Sequence, residues 1–507
     1  MDTLYQSQIS TIIPNLDKLE AECLQTVGVS TELIHTDQNS TTVRYPEQGG
    51  VQTFNKPQYQ FSMLEVSNWY NYARSWIQIQ GYVCATDGAV LTAVDGVGGV
   101  SDILKFFRTA QLYIDGVLID NVQNMEYIAH VKPLVEFSRA AEPMLAQEGR
   151  YIDRGVADTY DPRNATGAFI ANSNPAQFYR YQRASMMSTY NSSASTYAAY
   201  QEPVVTGKFT SRLMTFRVPL FRIFDSLRAL DRAVKGHTLN ITLVPSSSPT
   251  LCVMVGNSQT AAPSATSYRF ALSKIDLWMN KIIPPAKLLA GMEQALNAGE
   301  KTVVRFQNWT ALQAVGVQGI GGGVSAPGQI TFYVPATVAR LDKIFLFLIP
   351  QTQASNINGF KLTTADAQTN QNITSAAIRI NGVLTQTAPF TTYTDFDMSP
   401  GANYAASTSA QGDDLCQIYT QYLMCCGRDA AIRDAPMLSY DDFKQQIFFP
   451  FDCTQMPEMT TSNGSQVQID LTIANVLAGT YIPWIVMCGR QVYELAGVGG
   501  CRLLPSV

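Results

Sequence analysis

The chain has 507 residues, too many for one ordinary hydrophobic core, and with 46% hydrophobic residues it is not a disordered chain; two or more domains are expected. Charged residues make up only 15% and the net charge is −5. No face rich in Lys and Arg is evident, so wrapping of nucleic acid is not expected, and the sparse charge points to a surface covered largely by other chains.

In chain order, MDTLYQSQIS lacks a basic region followed by an apolar run, so no secretory leader is expected. Residues 1–50 read as an arm. Within it NLDKLEAECLQ (15–25) follows Pro14, with Asn15 as a cap and Leu16, Leu19 and Cys23 along one side of a helix. Residues 1–60 carry three basic residues against seven acids, a balance of −4 that opposes docking on nucleic acid or an anionic bilayer. The Leu16–Leu24 segment is expected instead to cover an apolar patch on an adjacent subunit or capsomer.

Strand patterns follow at SWIQIQGYV (75–83) and on both sides of the Asp-Gly pair in AQLYIDGVLID (110–120). Asp-Gly between apolar runs favours a two-residue type I′ hairpin, because both central residues need positive φ. NMEYIAHVKPLVEF (124–137) places Tyr127, Val131, Leu134 and Val135 at helical spacing, with Pro133 expected to kink or divide it. Residues 145–210 form a long loop holding seven of the 24 tyrosines, a density that predicts a loop packed on something. Further strands read at MTFRVPLFRIF (214–224), HTLNITLVP (237–245) and YRFALSKIDLWMN (268–280). PAKLLAGMEQALNAGE (285–300) is a helix with Leu288, Leu289, Met292 and Leu296 on one side, placed to connect two domains.

The second half repeats the order of the first. DKIFLFLIP (342–350), AAIRINGVLTQ (376–386), QQIFFPFDCT (445–454), SQVQIDLTI (465–473) and YIPWIVMCGRQVYEL (481–495) answer the strands above. Gly116 and Gly382 lie 266 positions apart, Ile77 and Ile344 267, and Pro219 and Pro450 231. One longer loop in the first half accounts for the fall of 35 residues. Many short strands without a βαβ rhythm predict antiparallel sandwiches, and the repeat predicts two of them.

The search for chemistry gives negatives. The glycine clusters at 96–100, 319–323 and 497–501 do not lead into GK[ST] and read as flexible loops. His35, His130 and His237 are far apart; His130 reads as a packed or interfacial residue and His237 as a surface one. Asp413-Asp414 and Asp441-Asp442 are adjacent pairs that a strand would point to opposite faces, so neither is an acid/base couple. The nine cysteines contain no CxxC and are expected to be reduced thiols. No residue is assigned a catalytic, cofactor-binding or metal-ligating role, no cofactor is expected, and the chain does not read as an enzyme.

Together, RSWIQIQGYV, RTAQLYIDGVLIDN and EYIAHVKPLVEF resemble the opening jelly roll of double jelly-roll viral major capsid proteins of the Polinton, adintovirus and virophage type, in the lineage of adenovirus hexon. HTLNITLVP, YRFALSKIDLWMNKIIPPAKLLAGMEQALNAGE, DKIFLFLIPQ, AAIRINGVLTQ, LSYDDFKQQIFFPFDC, SQVQIDLTIANVL and YIPWIVMCGRQVYEL continue the likeness over roughly residues 50–500. The resemblance implies an all-β fold of two tandem eight-stranded antiparallel jelly rolls with a few short helices. The expected division is an arm (1–50), a first jelly roll (51–284), a connecting helix (285–299), and a second jelly roll with a C-terminal tail (300–507). It further implies homotrimeric, pseudo-hexameric capsomers of an icosahedral virion, assembled in the host nucleus or cytoplasm. The implied partners are further copies of the chain, minor capsid and penton proteins, and a host-surface glycan or receptor. The alternative from the residues alone is a two-domain β-sandwich that binds or acts on glycans.

Overall fold

A computed structural model of the chain describes residues 40–46, 56–85, 91–92, 97–100, 102–150, 208–209, 214–247, 252–255, 268–299, 301–313, 328–335, 341–350, 373–380, 382–384, 390–391, 416–427, 435–440, 443, 448–454, 466–473 and 481–504. Eight main strands come first: β1 (Ser40–Pro46), β2 (Tyr59–Met63), β3 (Trp69–Ala85), β4 (Phe107–Ile114), β5 (Val117–Gln123), β6 (Met214–Pro219), β7 (Leu239–Pro245) and β8 (Tyr268–Ile282). Helix α1 (Met125–Glu136) follows β5, and α2 (Ala286–Asn297) follows β8. Eight more strands then appear: β9 (Lys301–Gln313), β10 (Gly328–Pro335), β11 (Leu341–Pro350), β12 (Ile373–Ile380), β13 (Val383–Leu384), β14 (Phe449–Asp452), β15 (Gln466–Ile473) and β16 (Tyr481–Ala496). Helix α3 (Cys416–Cys425) precedes β14, and an added strand, β17 (Gly500–Leu504), folds back on β16.

The first set pairs as β1-β8-β3-β6 and β2-β7-β4-β5, every neighbour antiparallel. The second pairs as β9-β16-β11-β14 and β10-β15-β12-β13. Adding eight to each strand number of the first pattern gives the second. Two facing sheets in this crossed order are a jelly roll, so the repeat seen in the sequence is one winding made twice.

Period-two burial builds each sandwich. Tyr59, Phe61 and Met63 of β2 and Leu239, Ile241 and Leu243 of β7 turn inward with no more than 1% of their surface exposed. Each such side chain contributes about 1.5–3 kcal/mol by leaving water. Asp115 (φ 50°) and Gly116 (φ 79°) make the β4–β5 hairpin, and Gly382 (φ 81°) holds the matching place between β12 and β13. This is the type I′ geometry expected of Asp-Gly.

Some expectations change. Ser40–Pro46, read as the end of the arm, is strand β1, and its backbone pairs with Pro46↔Asp276 through Ser40↔Ile282 on β8. Pro133 does not divide α1, because it sits in the last turn, where one lost hydrogen bond is tolerated and Phe137 N still reaches Pro133 O. Strand β6 stops at Pro219, and Leu220–Ile223 and Asp225–Arg228 turn helical. Val97–Val100, read as flexible loop, pairs with Val253–Val255, and Gly497 and Gly499 take positive φ in the turn between β16 and β17. The helix over 15–25, the tyrosines of the 145–210 loop, His35 and both Asp-Asp pairs lie outside the described residues.

Gly81 of β3 supplies a test of the packing. A Cβ there would overlap the Ala271 carbonyl oxygen and the Phe270 ring on β8. The obstacle is partly backbone, so it has little freedom to give. Gly81→Val is expected to destabilise the chain by about 2 kcal/mol or more, read as a drop in the calorimetric melting temperature. An unchanged melting temperature would refute this β3–β8 contact.

Candidate assembly surfaces

The two sandwiches share one continuous apolar core. Helix α1 is their main joint. Asn124, at positive φ, starts it and donates Nδ2 to the Ala311 carbonyl of β9 at 2.7 Å. One turn on, Tyr127 stacks on Trp484 of β16, with ring centres 3.7 Å apart and planes 19° from parallel. His130 meets Phe347 of β11 edge-on at 6.2 Å. Burial, with Lys105 and Arg150 nearby, holds the His130 imidazole well below its ordinary pKa. The Leu134 carbonyl accepts from Tyr422 Oη of α3 at 2.6 Å, and the same hydroxyl accepts from Leu438 N at 3.3 Å. At the far end of the seam Tyr493 Oη donates to the Ser226 carbonyl at 3.1 Å, and Gly499 N to that of Gly236 at 3.0 Å.

Under α1 lies a polar layer with little exposure. Arg222 Nε meets Glu148 Oε2 at 2.8 Å, and Lys132 Nζ meets Asp225 Oδ1 at 2.8 Å. Arg150 Nε lies 3.5 Å from Asp102 Oδ2, and Ser226 Oγ donates to Asp120 Oδ2 at 3.0 Å. Burial pushes the Asp120 carboxyl up to about 6, against the pull of Lys132 and Ser226. Burial and the neighbouring Glu136 push Asp225 up to about 7. These groups brace α1 and the 220–228 turns, the parts of the first sandwich that face the second. Paired charges of this kind fix geometry more than they add net stability.

His237 is a correction. It is 3% exposed, not a surface residue, and its Nδ1 lies 2.6 Å from Asp115 Oδ2. Asp115 Oδ1 also accepts from Thr238 N at 2.8 Å. Burial alone would raise the Asp115 pKa, but the bonds from His237 and Thr238 outweigh it and hold the carboxyl below its usual value. The Asp-Gly turn is therefore also a clamp on the start of β7. His130 is packed at the seam, as its helical position implied.

Antiparallel neighbours send the connections to two opposite ends. The strand ends that border the longest stretches of connecting sequence, Ala85, Phe107, Gln123, Met214, Pro245 and Tyr268 in the first sandwich and Pro350 and Ile373 in the second, lie at one end, the long-loop end. The turns at 64–68 and 115–116, and the facing ends of β10 and β11 and of β12 and β13, lie at the other, the short-turn end. The seam contacts bring like ends together: Tyr127 and Trp484 at the long-loop end, Ser226 and Tyr493 at the short-turn end. Exposed apolar side chains gather at the short-turn end, among them Leu64, Val66, Ile283, Val303, Val383 and Val498, each at least 39% exposed. These side chains form an apolar rim at that end. Among the described residues no group of three His, Cys, Asp or Glu is placed to hold a metal, and no helix is long and apolar enough to cross a membrane. Cys425, Cys453, Cys488 and Cys501 are free thiols.

Two windings of this kind, side by side in one chain, can be compared with solved structures. The mavirus major capsid protein superposes with a TM-score of 0.52 over 92% of this chain and 90% of its own, at 9% identity. A chain of the Sputnik virophage cryo-EM structure gives 0.53 over 93% of this chain and 89% of its own, at 10% identity. The fold is the double jelly roll of viral major capsid proteins. No family model and no curated protein matches the sequence.

Proposed function

We propose that this chain is a major capsid protein whose copies build the shell of a virion as trimeric capsomers. The observation that carries the reading is the identical eight-stranded winding made twice and packed side by side through α1. Three such chains around an axis present six similar wedges, which suits a hexagonal place in an icosahedral shell. The apolar rim at the short-turn end and the outer sheet faces supply contacts between subunits and between capsomers. The proposed partners are further copies of the chain, with minor capsid and penton proteins beside them. A host-surface glycan or receptor would meet the long-loop end. The role is structural rather than catalytic, and the assembly site is the host nucleus or cytoplasm.

The test is the mass and shape of the purified chain. Light scattering is expected to give three times the chain mass of 55.7 kDa, and electron micrographs at higher concentration to show closed shells or hexagonal sheets. A chain that stays monomeric at every concentration would overturn the proposal.

A further inference from the structure

A cavity of about 190 Å³ opens at the short-turn end, where the two sandwiches and α2 meet. Its walls include Trp69 from β3, Arg232 and Lys235 from the turn before β7, Met292 and Leu296 from α2, and Leu495 from β16. The walls are mostly apolar, with Arg232 and Lys235 as the basic side chains and Lys235 paired with Glu293 of α2. Lys235 Nζ lies 3.0 Å from Glu293 Oε1 and 5.8 Å from the Trp69 ring centre. Val66 and Val498, both exposed, extend the apolar surface outward: Val66 O accepts from Gly236 N, and the Val498 side chain lies against Gly236.

From this geometry we infer that the cavity is the seat of residues 15–25 of the same chain. Three observations select that occupant. Ser40, where the described chain begins, pairs with Ile282, which pairs with Trp69. Two strand spacings, about 10 Å, thus separate the root of the first 39 residues from the cavity wall. The 14 residues from 26 to 39 reach about 20 Å as a coil, so the segment is delivered at high effective concentration to its own cavity. The chemistry also matches. Residues 1–39 hold one lysine against six acids, a net charge of −5, and the sequence 15–25 spaces Leu16, Leu19 and Cys23 at helical intervals between Asp17, Glu20 and Glu22. The leucines enter over Trp69, Met292 and Leu296, and the acids meet Arg232 and Lys235. This inference stands apart from the capsid reading, because it concerns a single chain.

Hydrogen exchange on the full chain tests it. Leu16→Asp/Leu19→Asp leaves the described fold untouched and is expected to speed amide exchange in residues 232–237 and 288–297 by about tenfold or more. Arg232→Glu/Lys235→Glu is expected to expose amides of residues 15–25 in the same way, and dilution of the unaltered chain to change neither signal. Equal exchange in the unaltered and Leu16→Asp/Leu19→Asp chains would overturn the inference. Protection that disappears on dilution would overturn it as well, since the occupant would then be a second copy.

Discussion

Replacing Arg222 with alanine is expected to cost the folded chain about 3–5 kcal/mol, a large share of the stability of an ordinary domain. The Arg222 side chain is 2% exposed and its Nε meets Glu148 Oε2 at 2.8 Å. The guanidinium also lies 5.0 Å from the centre of the Phe137 ring at the end of α1. Alanine removes the counter-charge and leaves Glu148, itself 6% exposed, as an uncompensated carboxylate. Burial already raises the Glu148 pKa despite Arg222, so without that partner it takes up a proton or draws in water. The double replacement Arg222→Met/Glu148→Leu removes both charges and fills the space, and is expected to recover most of the loss. Denaturant unfolding of the single and double variants measures both numbers. A single variant within about 1 kcal/mol of the parent would mean that this pair is not sealed from water. Because the Arg222 guanidinium also packs over Phe137, the residue that ends α1, the variant is expected to loosen α1 and with it the seam to the second sandwich.

What could be read in advance follows from the range of each signal. Strand periodicity, Asp115-Gly116 and the repeated order of elements are local features, and they led to the two windings. Helix α3 was missed although Ile418, Tyr422 and Cys425 recur at helical spacing, all fully buried. Its ten residues mix Gln, Thr and Tyr with Cys, Ile, Leu and Met, and its partners Tyr440, Phe443 and Phe448 come from a separate stretch of chain. The start of β1 was hidden for a similar reason: STTVRYP carries a weak alternation, and its place is fixed by β8, more than 200 residues away. His237 looked exposed because it opens a strand, and only the return of the β4–β5 turn beneath it brings Asp115 within 2.6 Å. The seam itself had almost no local signature. Tyr127 and Trp484 are 357 positions apart and meet only after both sandwiches have formed.

The seam also carries a charge that works against it. Glu126 stands in the first turn of α1, beside the Tyr127–Trp484 stack, and is 6% exposed. Its Oε2 has no hydrogen-bond partner among the described residues. Burial pushes its carboxyl from an ordinary 4.5 up to about 7, and Arg108 offsets only part of that. The sign follows from linkage. Below the unfolded pKa the group is protonated in both states and costs nothing electrostatically. From the unfolded pKa up to the folded pKa the unfolded chain gives up the proton while the folded chain keeps it, so stability falls across that window and levels off above it, where both states are ionised. Glutamine keeps the shape without the ion. At about pH 8.5 Glu126→Gln is therefore expected to raise the unfolding free energy by about 2–3 kcal/mol, and at about pH 4 to change it by less than 1 kcal/mol. The difference between parent and variant isolates this carboxyl from His130 and the other buried groups, which titrate alike in both. Paired denaturation curves across that range decide the matter: a gain that is independent of pH would show that folding does not shift the Glu126 pKa, and no gain at high pH would show that water reaches it. If the gain tracks pH as described, Glu126 makes the joint between the sandwiches tighter on the acid side of neutrality than on the alkaline side.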